Sequence, residues 1–219
     1  MLEGFVIAID GPAASGKGTI AEGLGRTYGF PVLDSGLLYR AVGVNVMRDG
    51  GDPADVGAAE AAARALDPKE LDDPAYRARD AGEAASVVAA HPEVRDALRA
   101  FQRSFADQQP GAVIDGRDIG TVIAPDAPAK LFVTASPEVR AERRFKQLQS
   151  QGESVAYDDI LADIRRRDER DSARAASPLV RAQDAALLDT TSMSISQAAD
   201  AARRIVEEAR ARWESSRKG

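Results

Sequence analysis

Gly11, Pro12, Ala13, Ala14, Ser15, Gly16, Lys17, Gly18 and Thr19 form a run of small residues that ends on a lysine and a hydroxyl. Such a run can curl until its backbone N–H groups converge on phosphate oxygens, with the lysine reaching the β and γ phosphates of a nucleoside triphosphate such as ATP. An apolar stretch precedes it and a helical pattern follows, so the positive end of a helix dipole adds to the same anion site. Gly18 stands where the general pattern has its magnesium-binding hydroxyl, and that hydroxyl comes one residue later, at Thr19. An ordinary glycine-rich turn is the plain alternative, and spacing and context together argue against it. The loop alone leaves the second reactant open, because the same loop serves kinases, GTPases and motor ATPases.

Three further clusters bear on that reactant. Ser35 and Arg40 put a hydroxyl and an arginine about one helical turn apart, where they could hold an anion. Asp115, Gly116, Arg117 and Asp118 set two acids around an arginine in a glycine-rich turn. A buried Arg117 suits a phosphate, and a carboxylate suits the exocyclic amino group of cytosine. Arg165 to Arg174 carries arginines at spacings of three and four, among them Arg167, Arg170 and Arg174 on one helical face. That face either binds phosphates or is a solvated helix laced with internal ion pairs through Asp168 and Glu169, and the segment alone favours neither. The lone His91 precedes Pro92 and belongs at a helix start.

The elements that must position these groups can be read from the apolar pattern. Phe5 to Asp10, Val32 and Leu33, Ala112 to Asp115, Ala129 to Thr134 and Ala186 to Asp189 are short apolar runs ending at polar or glycine-containing turns. A helix is expected from Lys17 to about Tyr28, and another after the cap Ser136 and Pro137. A last helix starts at the capping box of Ser194 and Gln197 and ends near Trp213, leaving Ser215 to Gly219 as a frayed tail. Strands separated by helices predict an α/β parallel sheet with ligands beyond the carboxyl ends of the strands, where Asp10, Asp34 and Asp115 fall. Two helical additions, about 47–108 and about 157–178, are candidate covers for substrate.

The 219 residues fit one domain. A net charge of −6 argues against a nucleic-acid binder, so any phosphate site must be a local basic pocket. Without cysteine there is no disulfide and no thiol nucleophile, and one histidine cannot build a multi-histidine metal site. The longest apolar run near the start is too short for a membrane span, and a cytoplasmic protein is expected.

The motifs GPAASGKGT, LDSGLLYR, DGRDIGTVIAPDAP and RDERDSARAASPL occur in that order, and with them the chain resembles the bacterial cytidylate kinases. The resemblance implies a P-loop NTPase core of five parallel strands flanked by helices, a monophosphate-binding insertion and a mobile helical lid. A monomer is expected. It implies transfer of phosphate from ATP to CMP or dCMP with magnesium. Carried over by residue, it puts Ser35, Arg40, Arg117 and Arg174 around the CMP phosphate, and Ser86, Arg95 and Asp118 on the base. Asp171 falls on the sugar, together with Arg167, and Asp115 holds magnesium through water. The chain departs from the fuller family pattern between Ala63 and Ser86, where Leu66 to Pro74 replaces a β-rich stretch.

A phosphate monoester carries its charge at neutral pH and needs no general base. Aligning two anions and neutralising the migrating group falls to Lys17, magnesium and the arginines, with Arg167, Arg170 and Arg174 expected to swing in over the phosphates. A kinase for another acceptor, such as AMP, UMP or shikimate, differs only in the base-reading residues. A nucleotide switch or motor ATPase is disfavoured, because the chain has no Asn-Lys-x-Asp signature and no strand ending in paired Asp-Glu.

Overall fold

β1, Phe5–Asp10, is buried at all six positions, as a strand must be when helices cover both faces of its sheet. In the computed structural model, which describes residues 4–68 and 71–217, β1 is the centre of a five-stranded parallel sheet. Its partners are β2 (Val32–Asp34), β3 (Gly111–Gly116), β4 (Ala129–Thr134) and β5 (Ala186–Asp189), in the order β2-β3-β1-β4-β5. The five runs read from the sequence are these five strands.

Alternation along β1 divides the core. Phe5, Ile7 and Ile9 pack with Ile20, Leu24 and Val206, on α1 (Lys17–Tyr28) and on the last helix, Ile195–Ser216. Val6 and Ala8 face the other way, toward Ala106, Ile114 and Ile119. A separate apolar cluster holds together α2 (Ser35–Arg48), α3 (Val56–Ala65), α4 (Arg79–Val88) and α5 (Pro92–Ala106). α3, α4 and α5, with a 3-10 turn at Pro74–Arg77, occupy the first predicted addition. Lys69 and Glu70, within the stretch that departs from the family pattern, lie outside the described residues.

After β4 come α6 (Pro137–Ser150) and α7 (Tyr157–Ala173), and α7 fills most of the second addition. Ser136 caps α6 by accepting the Val139 N–H, with Pro137 in the first turn. The final helix, α8 (Ile195–Ser216), begins with the expected Ser194–Gln197 capping box. It runs three residues past Trp213, which corrects the frayed tail at Ser215 and Ser216. No glycine interrupts it there, the Ser215 hydroxyl donates back to the Ala211 carbonyl, and the Arg217 guanidinium covers the Trp213 ring at 4.6 Å. Lys218 and Gly219 lie outside the described residues. His91 is at the start of α5, with a ring nitrogen 3.0 Å from the Pro53 carbonyl. No helix among the described residues is long and apolar enough to cross a membrane.

Candidate active site

The loop from Gly11 to Gly16 joins β1 to α1 beyond the carboxyl end of the sheet. Gly11 has to be glycine, since a Cβ there would lie 2.0 Å from the Val133 carbonyl oxygen of the adjacent strand. Ala14 and Gly16 take left-handed backbone, with φ 58 and 93. For Ala14 that conformation costs about 1–2 kcal/mol, which the surroundings must offset. The contacts that hold it come from α6. Arg140 Nη1 donates to the Ala13 carbonyl at 3.2 Å, and Arg143 Nη1 donates to the Ser15 carbonyl at 3.2 Å. The Thr190 hydroxyl donates to the same Ser15 carbonyl at 3.1 Å. With those carbonyls drawn to α6 and to Thr190 just past β5, the N–H groups of the loop are left for an anion.

Lys17 lies 4.0 Å from Asp115 at the end of β3. Burial lowers the Lys17 pKa, and the Arg117 charge adds to that, while Asp115 and Asp34 oppose it. Burial raises the Asp115 pKa, and Asp34, its register partner on β2, raises it further. Asp115 Oδ1 is buried without a hydrogen-bond partner. Two side-by-side carboxylates, one with an orphaned oxygen, next to a phosphate loop with Thr19 at its mouth, are a donor set suited to a hard divalent cation with its waters.

The loop lines one half of a cleft of about 760 Å³. In the other half, Ser35 and Arg40 come from α2, and Arg117 and Asp118 from the turn after β3. Gly116 allows this closeness, because a Cβ on it would stand 2.5 Å from Ser35 Oγ. The turn itself is set by Asp10, whose carboxylate accepts the N–H groups of Ile119 and Gly120, both at 2.8 Å. These bonds shape residues Ile119–Ile123 into a short π-helical turn that the sequence pattern does not announce. Burial is the main reason the Asp10 carboxyl is pushed up to about 6.

Asp118 forms a buried ion pair with Arg95 of α5, and the Arg95 guanidinium sits over the Tyr39 ring at 5.5 Å. Arg95 and Arg174 both reach the Ala89 carbonyl at the end of α4. Ser86 Oγ, Arg95 Nε and Arg174 Nη2 are buried without a hydrogen-bond partner among the described residues, and all three residues line the cleft. Polar atoms so placed call for a polar ligand. Arg117 Nε donates to Asp171 at 2.8 Å. Burial works to raise the Asp171 carboxyl, but Arg117, Arg174 and Arg167 outweigh it and hold the group below the usual carboxylate value. Arg167 packs beside Arg40 over Gly82, where a Cβ would lie 3.1 Å from Arg167 Nη1. Burial, then Arg117 and Arg40, push Arg167 down to about 10. Ten lysines and arginines against four aspartates line the cleft, in a chain whose net charge is −6. The basic pocket demanded by the composition is there.

Every predicted binding residue from Ser35 to Arg174 named above lines this cleft, as do Ala13 to Thr19 of the loop. Arg170 is not in its lining. Its guanidinium instead pairs with Glu83 of α4 at 2.7 Å, and a second bridge, Arg79 to Asp163 at 2.9 Å, ties the same two helices. The open question about α7 is answered mostly by pairing across elements. Asp168 bonds Arg140 of α6 and Arg165 bonds Glu138, while Arg166 and Asp163 pair within the helix. Sequence reasoning missed Tyr39, Arg143 and Thr190 as lining residues, and Arg140 as the support of the loop. The spacing of Arg140 and Arg143 just after β4 is the one signal of them in the sequence.

Sheet order, loop and cleft define the class, a P-loop phosphotransferase domain with a donor half and an acceptor half. The fold is shared with a gluconokinase from Sinorhizobium meliloti 1021, at TM-score 0.51, 16% identity and 99% coverage of both chains. It is shared too with an uncharacterised protein from Eubacterium ventriosum, at TM-score 0.53 and 16% identity over 93% of this chain and 98% of that one. The family is narrower. The cytidylate kinase profile matches residues 7–208. A cytidylate kinase of Caulobacter sp. (strain K31) is 66% identical over 95% of this chain and 97% of its own length. One from Xanthobacter autotrophicus is 63% identical over 94% and 99%. The chain belongs to the cytidylate kinase family.

Proposed function

We propose that the protein transfers the γ-phosphate of ATP to CMP or dCMP, giving ADP and CDP or dCDP. Membership of the cytidylate kinase family supports the reaction, and the buried Arg95–Asp118 pair at the acceptor end of the cleft carries the choice of base. An aspartate oxygen there accepts the N4 amino hydrogen of cytosine, whereas the O4 of uracil would face it with a lone pair. Ser86 Oγ and Arg95 Nε offer the remaining polar contacts to the ring. Asp171 suits a sugar hydroxyl, and Ser35, Arg40, Arg117 and Arg174 suit the phosphate.

In the reaction an oxygen of the CMP phosphate attacks the γ phosphorus as the bond to the β–γ bridging oxygen breaks. Lys17 and the loop N–H groups hold the donor phosphates, while Arg117 and Arg167 stand between donor and acceptor and neutralise charge on the moving group. Asp115 through water, Asp34 and Thr19 would hold magnesium, which would supply positive charge to offset that of the donor phosphates. Residues about 47–108 serve as the monophosphate-binding insertion and about 157–178 as the lid, and their closure keeps water from the phosphoryl group. A single chain supplies all these groups, so the working unit is taken as a monomer acting on free nucleotides in the cytoplasm.

A coupled assay tests the reading: ADP should form only when CMP or dCMP is added. ADP formation with no acceptor would point instead to a nucleotide switch or motor. Replacing Asp118 by Ala should narrow the ratio of kcat/KM for CMP over UMP by roughly tenfold or more. An unchanged ratio would remove Asp118 from base reading.

A further inference from the structure

Arg140 is 3% exposed, yet it is absent from the lining of the cleft, and the transfer described above makes no use of it. Each of its three guanidinium nitrogens is engaged, by three separate elements. Nε donates to the Ala135 carbonyl at 2.9 Å, just past β4. Nη1 donates to the Ala13 carbonyl in the donor loop, and Nη1 and Nη2 together fork onto the two carboxylate oxygens of Asp168, with Nη1 to Oδ1 at 2.9 Å. Asp168 follows Arg167 directly and lies one helical turn before Asp171, which grips Arg117. The other ties of α7 to neighbouring helices, Arg79–Asp163, Arg165–Glu138 and Arg170–Glu83, are between more exposed side chains.

We propose that Arg140 and Asp168 form a joint through which the donor loop sets the position of α7, so that ATP binding tightens the grip of α7 on the acceptor. The inference rests on the acceptor reading above. Both are positioning residues: neither reaches the cleft, and each acts through what it holds. Ala13 precedes the left-handed Ala14, so a phosphate that draws the loop N–H groups inward also fixes the carbonyl that Arg140 grips. The planar fork passes that orientation to Asp168, because a bidentate guanidinium–carboxylate pair resists rotation where a single bond would not. Arg167 then takes its place over the phosphates, and Asp171 its place at the sugar.

The test combines hydrogen exchange with calorimetry on the full chain, using adenylyl imidodiphosphate with magnesium as the donor probe. In the wild type the probe alone should slow exchange of the α7 amides and should tighten CMP binding by about tenfold. Asp168→Asn keeps one acceptor oxygen and loses the fork, and it should bind each nucleotide alone within about threefold of wild type. Its tightening factor should fall below about twofold, the protection of α7 should vanish, and kcat should drop by roughly 10–100-fold. Arg140→Lys, which keeps charge without a fork, should match it, and Asp168→Glu should recover most of the coupling. A folded Asp168→Asn with wild-type tightening and α7 protection would overturn the joint, as would a wild type with neither effect. Should CMP fail to bind at all, the acceptor reading falls, and the exchange arm still decides the joint by itself.

Discussion

At the scale of single residues, arginines of similar sequence context divide by where their guanidinium groups end. Arg174 is buried, lines the cleft and has an Nη2 without a hydrogen-bond partner, whereas Arg170 is engaged by Glu83 outside the cleft lining. Arg174→Ala should therefore lower kcat/KM for CMP by on the order of a hundredfold, and Arg170→Ala by less than about tenfold, in steady-state assays. Equal losses would mean that Arg170 leaves Glu83 and joins the phosphates during turnover. Asp10 makes a pH prediction. Its folded-state pKa of about 6 lies above the ordinary aspartate value of 3.8, so between those values the folded protein holds a proton that the unfolded chain releases. A raised carboxyl penalises folding above pH 6, and the penalty fades as pH falls through 6 toward 4. Measured as thermal or urea stability against Asp10→Asn, the wild type should gain relative to the variant by about 2–3 kcal/mol between pH 7 and pH 4. A constant difference would show that the Asp10 carboxyl is already ionised throughout.

At the scale of elements, α2 and α4 carry the two sides of the acceptor pocket and touch at a glycine. A Cβ on Gly43 would stand 2.7 Å from Ala84 Cβ and 2.9 Å from the Ala84 carbonyl carbon. Gly43→Ala should gain up to about 1 kcal/mol of helix propensity and lose more by forcing the helices apart, a net destabilisation of about 1–3 kcal/mol. Because the same shift separates Arg40 from Ser86, KM for CMP should rise several-fold, and Ala84→Gly in the same chain should restore both only in part, since the carbonyl carbon of residue 84 still stands 2.9 Å from the added Cβ. A stabilised Gly43→Ala with normal KM would contradict the contact. Which parts could be read beforehand also follows from elements. The strands, the donor loop and the caps at Ser136 and Ser194 were legible because each is dictated within a few residues, by alternation, by glycine spacing or by a capping side chain. The π turn at Ile119–Ile123 was not, since its shape comes from Asp10, more than a hundred residues away in the chain. The support of the loop by Arg140 was equally hidden, because an arginine on α6 reads as an ordinary helix surface until α6 is laid beside β1. Ser86 and Arg95 were found only through family resemblance, since two helical residues nine apart carry no pattern of their own.

For the molecule as a whole, acidic surface and basic cleft act together. A chain of net charge −6 with ten basic side chains in its cleft should bind anionic nucleotides far better than polyanions, whose extended charge would meet the acidic remainder. At a hundred times its Kd, CMP should add about 2.7 kcal/mol to stability, which for a chain of this length raises Tm by about 5–10 °C in a thermal-shift scan. UMP at the same concentration should raise it less, and an equal rise would mean that the pocket does not tell the two bases apart. The bridges between α4 and α7 have a consequence for the end of the cycle. Their side chains are 30–48% exposed, and pairs of that kind contribute about 0–1 kcal/mol each. Together they favour the clasped arrangement by about 2 kcal/mol at most, or roughly thirtyfold in population. If α7 closes over the site as proposed, escape of the finished diphosphate meets a gate fastened by surface charge, and added salt should speed that departure before it disturbs the packed interior.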